Sequence, residues 1–461
     1  MNFEGRRVAV AGLGLSGRAA ARALEPTGAR LTLIDDVVEA ASRPAEVDLA
    51  ALDLLVVSPG WPPESPLLRA ARAAAVPIWS EVELAWQLRA NPAAQWLALT
   101  GTNGKTTTVS MLGAMLTAGG ARAQVVGNVG DPLVGAVLKP ETEVFAVELS
   151  SFQLAHTYSI RPLAAALLNV APDHLDWHGS YEAYLAAKGR IFRGVQDALV
   201  HNAEDLGAVA LARAADADGG ARSVGFVLRA PRLGQLGVVD GLLVDRAFSK
   251  RRRRHAEAVA SFDDLAHLAG ADGRLAPHLA ADALAAAALA LAYGTEPAAI
   301  GAALRGFELG GHRLAEVGTV GGVRFVDDSK ATNAHAAAAA LGAFAPGSVV
   351  WIAGGLAKGA RFESLVAARA DRLKAAVLIG LDPGRLAEAL AAKAPGVPVV
   401  AVAPGPAVMA RAVAAARSLA APGDVVLLAP ASASMDQFES YAERGRRFAA
   451  AVAELAGEHG S

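Results

Sequence analysis

The chain has 461 residues, with 43 Lys and Arg against 45 Asp and Glu, and no cysteine. That length accommodates roughly three domains of about 150 residues, and the formal charge of -2 is too balanced to suggest a nucleic-acid or membrane partner, so anionic ligands must be met by local clusters. Without cysteine, disulfides, thiolate catalysis and thiolate-bound zinc are excluded, and the opening MNFEGRRVAVAG runs into a strand pattern with no apolar leader, so a cytoplasmic protein is expected.

Short β-branched runs alternate with Ala- and Leu-rich stretches along the whole chain. The runs begin at Arg7 to Ala11, Leu31 to Ile34, Leu54 to Val57 and Trp96 to Leu99, continue at Val144 to Glu148 and Ala164 to Asn169, and resume at Val323 to Val326. This alternation predicts an α/β protein of parallel sheets covered by helices on both faces. Breaks near Arg89 to Pro92 and near Gly310 to His312 divide it into units 1–92, 93–311 and 312–461. The Ala-rich stretches Ala283 to Tyr293 and Ala334 to Ala345 fall short of the ~20 residues of a membrane span and are expected as buried helices. The one dense basic run, Ser249 to His255 (SKRRRRH), is expected as a solvated loop, not a nucleic-acid contact.

In the first unit, GLGLSG at Gly12 to Gly17 follows a strand, and Asp35 ends the next one. This is the pattern of a dinucleotide-binding turn, but it serves any diphosphate, a sugar nucleotide included, and a purely structural glycine turn has the same look. An NAD-dependent dehydrogenase is therefore a competing reading. VSPGWPP, Val57 to Pro63, closes the third strand beside the same crevice and adds Ser58 and Gly60.

The second unit carries the strongest signal, LALTGTNGKTTTVSMLGAML. A strand ends at Leu99, a glycine turn follows, and apolar residues then recur at helical spacing. Backbone N–H groups of such a turn, at a helix N-terminus, point at phosphate oxygens. Lys105 would reach the outer phosphates and the Thr106 hydroxyl would ligate magnesium. The turn departs from the usual phosphate-loop spacing, because Leu99 stands where the first glycine would be. GNVG at Gly127 to Gly130 and AVELSSFQL at Ala146 to Leu154 follow; Glu148 closes a strand where it could hold magnesium or simply cap Ser150 and Ser151. Asp173, His174, Asp176 and His178 crowd a post-strand turn that is either a polar cap or a metal site. In the next helix Lys188 shares an apolar stripe with Tyr181, Tyr184, Leu185, Ile191 and Phe192. Such a lysine must lose its charge, find a carboxylate, be modified, or snorkel to solvent.

In the last unit, RFVDDSKATNAHAA places Asp327, Asp328, Ser329, Lys330, Thr332 and Asn333 at the opening of a helix. Lys330 and Thr332 form a natural carboxylate site and Asp328 could take an amine. Lys358 follows a glycine pair, and Ser434, Phe438 and Tyr441 follow the final strand. Three anion-binding turns at strand ends point to a small acidic substrate.

Taken in order, GTNGKTT, GNVG, ELSSFQL, PDHLDWH, AAKGRIF, GGHR, DDSKATN, GGLAKG and PASASMDQF resemble the bacterial Mur ligases across essentially the whole chain. ELSSFQL and DDSKATN resemble the D-glutamate-adding branch. The resemblance implies a Rossmann-like N-terminal domain binding UDP, a central P-loop ATPase-like parallel-sheet domain binding ATP, and a C-terminal Rossmann-like domain binding D-glutamate. It implies an ATP-dependent ligase of cytoplasmic peptidoglycan precursor synthesis that forms an acyl phosphate on UDP-MurNAc-L-Ala and passes it to the D-glutamate amine. A monomer with no nucleic-acid partner and no membrane span is expected.

The same resemblance implies the residue roles. ATP would meet Gly101, Thr102, Asn103, Gly104, Lys105, Thr106, Thr107, Arg313 and Asp328. Two magnesium ions would take Thr106 with Glu148, and His174 with a carbamylated Lys188. Lys105, Asn128, His174 and Lys188 would be catalytic, with Asn128 and His174 orienting the acyl phosphate. The UDP substrate would meet Gly14, Leu15, Ser16, Gly17, Asp35, Asp36, Ser58, Gly60, Asn128 and His174. The D-glutamate carboxylates would meet Lys330, Thr332, Lys358, Ser434 and Tyr441. One departure concerns His-Asn-x-x-Asn, which here reads His278, Leu279, Ala280, Ala281, Asp282, and Leu279 cannot hydrogen-bond a base edge. A nucleotide switch without catalysis would leave the carboxylate turns unexplained.

Overall fold

The computed structural model describes residues 2–38, 40–216, 220–269 and 273–459. The chain divides into two compact units, Met1–Phe307 and Glu308–Ser461, and carries three sheets.

Two of the sheets lie in the first unit. A four-stranded parallel sheet runs in the order Arg30–Ile34, Arg7–Ala11, Leu54–Val57, Ile78–Ser80. Leu54–Val57 is buried throughout, so it reads as a continuous apolar run, as a strand covered on both faces should. The second sheet has nine strands. Within it Gln95–Thr100 is flanked by Ala164–Leu167 on one side and Val144–Glu148 on the other, with Ala123–Gly127 at the near edge. On the other side it continues in parallel through Ala198–Asn202, Arg222–Phe226 and Gln235–Val239, then ends in the antiparallel strands Leu242–Asp245 and Glu257–Ser261.

Because the chain leaves Gln95–Thr100 toward one edge and later returns to its other side, the carboxyl end of that strand is a topological switch point, where open α/β sheets bind ligands. Behind it, helix Lys105–Ala118 packs against helix Pro277–Tyr293, whose Ala283, Ala285, Ala286, Ala287, Ala288 and Ala290 are fully buried. Small alanine side chains let the two helices approach closely while burying apolar surface at about 25 cal/mol per Å².

The second unit holds a six-stranded sheet, Ala315–Val320, Val323–Asp327, Val425–Leu428, Val349–Gly354, Leu373–Ile379, Val399–Ala401, parallel except for the first pair. The Ala-rich segment expected as a buried helix from Ala334 is shorter and only half buried. Helix Ala334–Leu341 buries Ala337, Ala340 and Leu341 and leaves the rest partly exposed, because it lies on one face of the sheet. Among the described residues, no helix is long and apolar enough to cross a membrane.

Candidate active site

The glycine turn after Gln95–Thr100 is held open from beneath. Asn169, at the end of the neighbouring strand, accepts from the Thr102 amide at 3.0 Å through its carbonyl and from the Asn103 amide at 2.9 Å through Oδ1, while its Nδ2 donates to the Asn103 carbonyl at 3.1 Å. The Thr102 hydroxyl bridges the Tyr184 hydroxyl at 2.7 Å and the Ala171 amide at 2.9 Å. Gly104 adopts φ +82°, and a Cβ there would lie 2.3 Å from the Asp282 Oδ1. Only glycine satisfies both demands. Lys105 folds its Nζ back onto the Gly101 and Thr102 carbonyls, 2.9 Å from each. The ammonium thus sits over the turn, where an anion on the turn would meet it.

Lys188 approaches the same turn from below. It is 2% exposed, and its Nζ lies 2.7 Å from the Gly101 carbonyl and 3.3 Å from the Thr100 hydroxyl. Burial, then the neighbouring Lys105 charge, drive this amine well below its usual pKa, against the weaker pull of Asp173 and Glu148. Of the alternatives open from sequence, snorkelling is thereby excluded. Loss of charge, a carboxylate partner and modification are the ways left to accommodate it.

Glu148 ends the adjacent strand, 1% exposed. It does not cap the following helix; Ser150 does that, accepting from the Gln153 amide. Its Oε1 accepts from Asn128 Nδ2 at 2.9 Å, and its Oε2 is buried without a hydrogen-bond partner. A buried carboxylate oxygen left in this state suits a cation. Among the described residues no three His, Asp or Glu side chains converge as a metal-ligating group.

The crowded Asp173 to His178 turn separates into different environments. His174 takes φ +53° and packs its ring against Phe152 at 4.6 Å, with Nε2 3.6 Å from Asp173 Oδ2. His178 is buried, bonds the Ser151 hydroxyl at 2.9 Å, and is held down to a pKa of about 4 by burial and then by the His174 and Lys188 charges. Trp177 donates to the Pro59 carbonyl at 3.0 Å, joining this turn to the Ser58 and Gly60 turn of the four-stranded sheet.

On that sheet, the Gly12 to Gly17 turn is locked by close approach. A Cβ on Gly17 would stand 1.8 Å from the Gly12 carbonyl oxygen. Ser58 donates its hydroxyl to that same carbonyl. Asp35 accepts from the Leu13 amide at 2.7 Å, and this bond, with that of Val37, lowers its pKa. Leu15 and Gly14 are exposed and Ser16 half-buried at the helix start; Asp36 is exposed just beyond the half-buried Asp35.

In the second unit the sequence-predicted residues fall on three turns that the fold stitches together. Leu356 bridges Ala433, setting the Lys358 turn beside the Ser434 turn. Lys330 Nζ stands 5.1 Å over the Tyr441 ring, Thr332 follows at partial exposure, and Asn333 caps helix Ala334–Leu341. Asp328 is buried, which pushes its pKa up to about 7 despite the Leu314 amide and the Arg313 charge beside it.

The family of the Mur ligase middle domain matches residues 99–230, and that of the Mur ligase, glutamate ligase domain, matches residues 312–432. The UDP-N-acetylmuramoylalanine--D-glutamate ligase of Streptomyces avermitilis is 51% identical over 469 residues, covering 98% of each chain. The chain belongs to the Mur ligase family. Among solved structures, the UDP-N-acetylmuramate-alanine ligase MurC of Thermotoga maritima superimposes with a TM-score of 0.57 at 18% identity, covering 97% of this chain and 99% of that one. Mycobacterium tuberculosis folylpolyglutamate synthase, solved with ADP, gives 0.57 at 15% identity over 79% and 91%. At such identity these two establish the Mur ligase fold and nothing finer.

Two residues of this Mur ligase escaped the reading of its sequence. Asp282, noted there only as a departure, is 6% exposed and abuts Gly104 of the phosphate turn. Arg444 is fully buried and donates to the Ser329 hydroxyl at 3.0 Å, the Ser329 carbonyl at 2.8 Å and the Ser432 carbonyl at 3.1 Å. It therefore ties the Lys330 turn to the Ser434 turn. The signal that could have exposed it is an arginine between Tyr441 and Phe448 in helix Tyr441–His459, on an apolar stripe where a charge needs partners.

Proposed function

We propose that this chain is an ATP-dependent ligase that joins D-glutamate to UDP-N-acetylmuramoyl-L-alanine in the cytoplasmic synthesis of peptidoglycan precursors. The observation that carries the reading is the 51% identity to a D-glutamate ligase over 98% of both chains, which spans the phosphate turn and the C-terminal carboxylate turns alike. The substrate carboxylate oxygen attacks the γ-phosphorus of ATP and the bond to ADP breaks. The uncharged D-glutamate nitrogen then attacks the acyl carbon, a tetrahedral intermediate forms, the nitrogen loses a proton to solvent, and the carbon–oxygen bond to phosphate breaks so that phosphate leaves. Such steps depend on positioning and charge neutralisation more than on covalent help from the protein.

In this reading the turn Gly101, Thr102, Asn103, Gly104, Lys105, Thr106 and Thr107 holds the phosphates, with Arg313 and Asp328 on the nucleotide. Lys105 neutralises charge on the transferring phosphoryl group. Asn128, fixed by Glu148, and His174 orient the acyl phosphate. Burial favours the uncharged form of Lys188, and an uncharged amine can attack carbon dioxide: its nitrogen bonds the carbon, a proton leaves to solvent, and a carbamate anion results. Thr106 with Glu148, and His174 with that carbamate, would hold two magnesium ions, which supply charge neutralisation when bound. Gly14, Leu15, Ser16, Gly17, Asp35, Asp36, Ser58 and Gly60 hold the UDP end, and Lys330, Thr332, Lys358, Ser434 and Tyr441 the D-glutamate carboxylates. The domain roles follow as 1–92 for UDP, 93–311 for ATP and 312–461 for D-glutamate, in a monomer.

The test is phosphate release with ATP and magnesium. It should require UDP-N-acetylmuramoyl-L-alanine and D-glutamate together. Equal release with L-glutamate, or none at all, removes the assignment.

A further inference from the structure

We infer that the cationic end of the nine-stranded sheet is a docking surface for an anionic phospholipid membrane. The near-neutral chain hides a strong local asymmetry. Residues 228–255 hold eight Lys and Arg against two Asp, while the chain as a whole carries -2. The surplus is concentrated by the fold. Strand Leu242–Asp245 runs antiparallel to Gln235–Val239, with Asp245 opposite Leu236, so the turn after Asp245 emerges at the amino end of Gln235–Val239. The buried Asp245 carboxylate builds that turn by accepting from the Ala247, Phe248 and Ser249 amides at 2.6, 2.9 and 2.6 Å. Beyond it the chain coils tightly, the Arg254 amide donating to the Arg251 carbonyl at 2.8 Å. Lys250, Arg251, Arg253 and Arg254 are exposed. Arg246 joins them, its carbonyl accepting from the Gly234 amide at 2.8 Å, which brings Arg232 and Leu233 to the same place. Among the described residues none of these six cations forms an ion pair, whereas Arg229 of the same segment pairs with Glu204 at 3.3 Å.

This end of the sheet is opposite the catalytic one. The phosphate turn and Glu148 lie at the carboxyl ends of strands parallel to Gln235–Val239, and the basic turn lies at its amino end. The cations therefore serve neither ATP nor a UDP substrate. A lipid surface fits them better than a nucleic acid. Leu233 is 54% exposed within the patch, an apolar contact that a bilayer interface rewards and a phosphate backbone does not. The only Phe, Tyr or Trp of the segment, Phe248, is half-buried under the Arg222 guanidinium at 5.3 Å, which leaves the His255 imidazole as the one exposed ring for stacking bases.

The experiment is co-sedimentation of the full chain with phosphatidylcholine vesicles, with and without about one quarter phosphatidylglycerol, at ~0.1 M salt, where screening still permits attraction over about 10 Å. Binding should appear on the anionic vesicles alone and vanish at ~1 M salt. Arg251→Gln with Arg253→Gln and Arg254→Gln should lower the partition coefficient roughly 100-fold, and Leu233→Ser about tenfold. Both variants should keep the parent melting temperature and ligase activity. Equal binding to neutral vesicles, or no loss in the triple variant, overturns the proposal. So does capture of duplex RNA in place of vesicles with Leu233→Ser indistinguishable from the parent.

Discussion

The first unit contains two glycine turns in the same strand-turn-helix setting, and they are braced differently. At Gly12 to Gly17 the polar groups around the turn are spent internally: Ser58 and Asp35 bind its backbone, and Gly17 lies so close to the Gly12 carbonyl that no side chain fits. At Gly101 to Thr107 the bracing comes from Asn169 and Tyr184 behind the turn, while Lys105 and Lys188 bring two amines onto its carbonyls. Glycine spacing thus sets how near a ligand can come. The flanking side chains set which ligand it is and what happens to it.

Four changes sharpen or break that contrast. Lys105→Ala should cost roughly 10³-fold in kcat with an unchanged melting temperature, the expected loss when one preorganised charge is removed from a phosphoryl-transfer site. A loss of stability without a loss of rate would place Lys105 with the architectural residues. Lys188→Ala should cost about 10²-fold or more, because a ligand anchor disappears, and added short carboxylates should restore part of the rate. Absence of rescue, together with a mass spectrum of unmodified lysine, removes the carbamate.

Gly17→Ala should act in the opposite sense, lowering the stability of the first unit by about 3 kcal/mol through overpacking. A variant that melts like the parent contradicts the 1.8 Å approach. The smallest effect is a pH slope from Glu81, at the end of the same sheet. Burial raises its pKa from 4.5 to about 7, so its contribution is fully present below pH 4.5 and is lost as pH rises through about 7, by about 3 kcal/mol at most. Glu81→Gln should flatten that part of the stability profile. Asp35 gives the reverse sign, its contribution being present above the ordinary aspartate range and lost as pH falls through its lowered pKa. Parallel profiles for Glu81→Gln and the parent would show that Glu81 does not titrate in this window.

Much of this was legible in the chain itself. Alternating β-branched and Ala-rich runs determined the three parallel-rich sheets, because strand and helix periodicities are local properties of covalent spacing. The phosphate turn was legible too, as was Lys188 on an apolar stripe, since a charge in an apolar period announces itself without any knowledge of its neighbours. The surroundings of Lys188 came only from the fold, which set its amine against the Gly101 carbonyl and beside Lys105.

Contacts between distant segments were decided by tertiary structure alone. The Asn128 bond to Glu148, the Asp282 carboxylate against Gly104, and Arg444 stitching Ser329 to Ser432 each join residues that no periodicity relates. The basic turn shows the same division. Its composition was plain in the sequence, but its place at the end of the sheet remote from the phosphate turn follows from strand order and direction. Direction depends on which strands pair, and pairing is set by burial of whole faces rather than by any single segment.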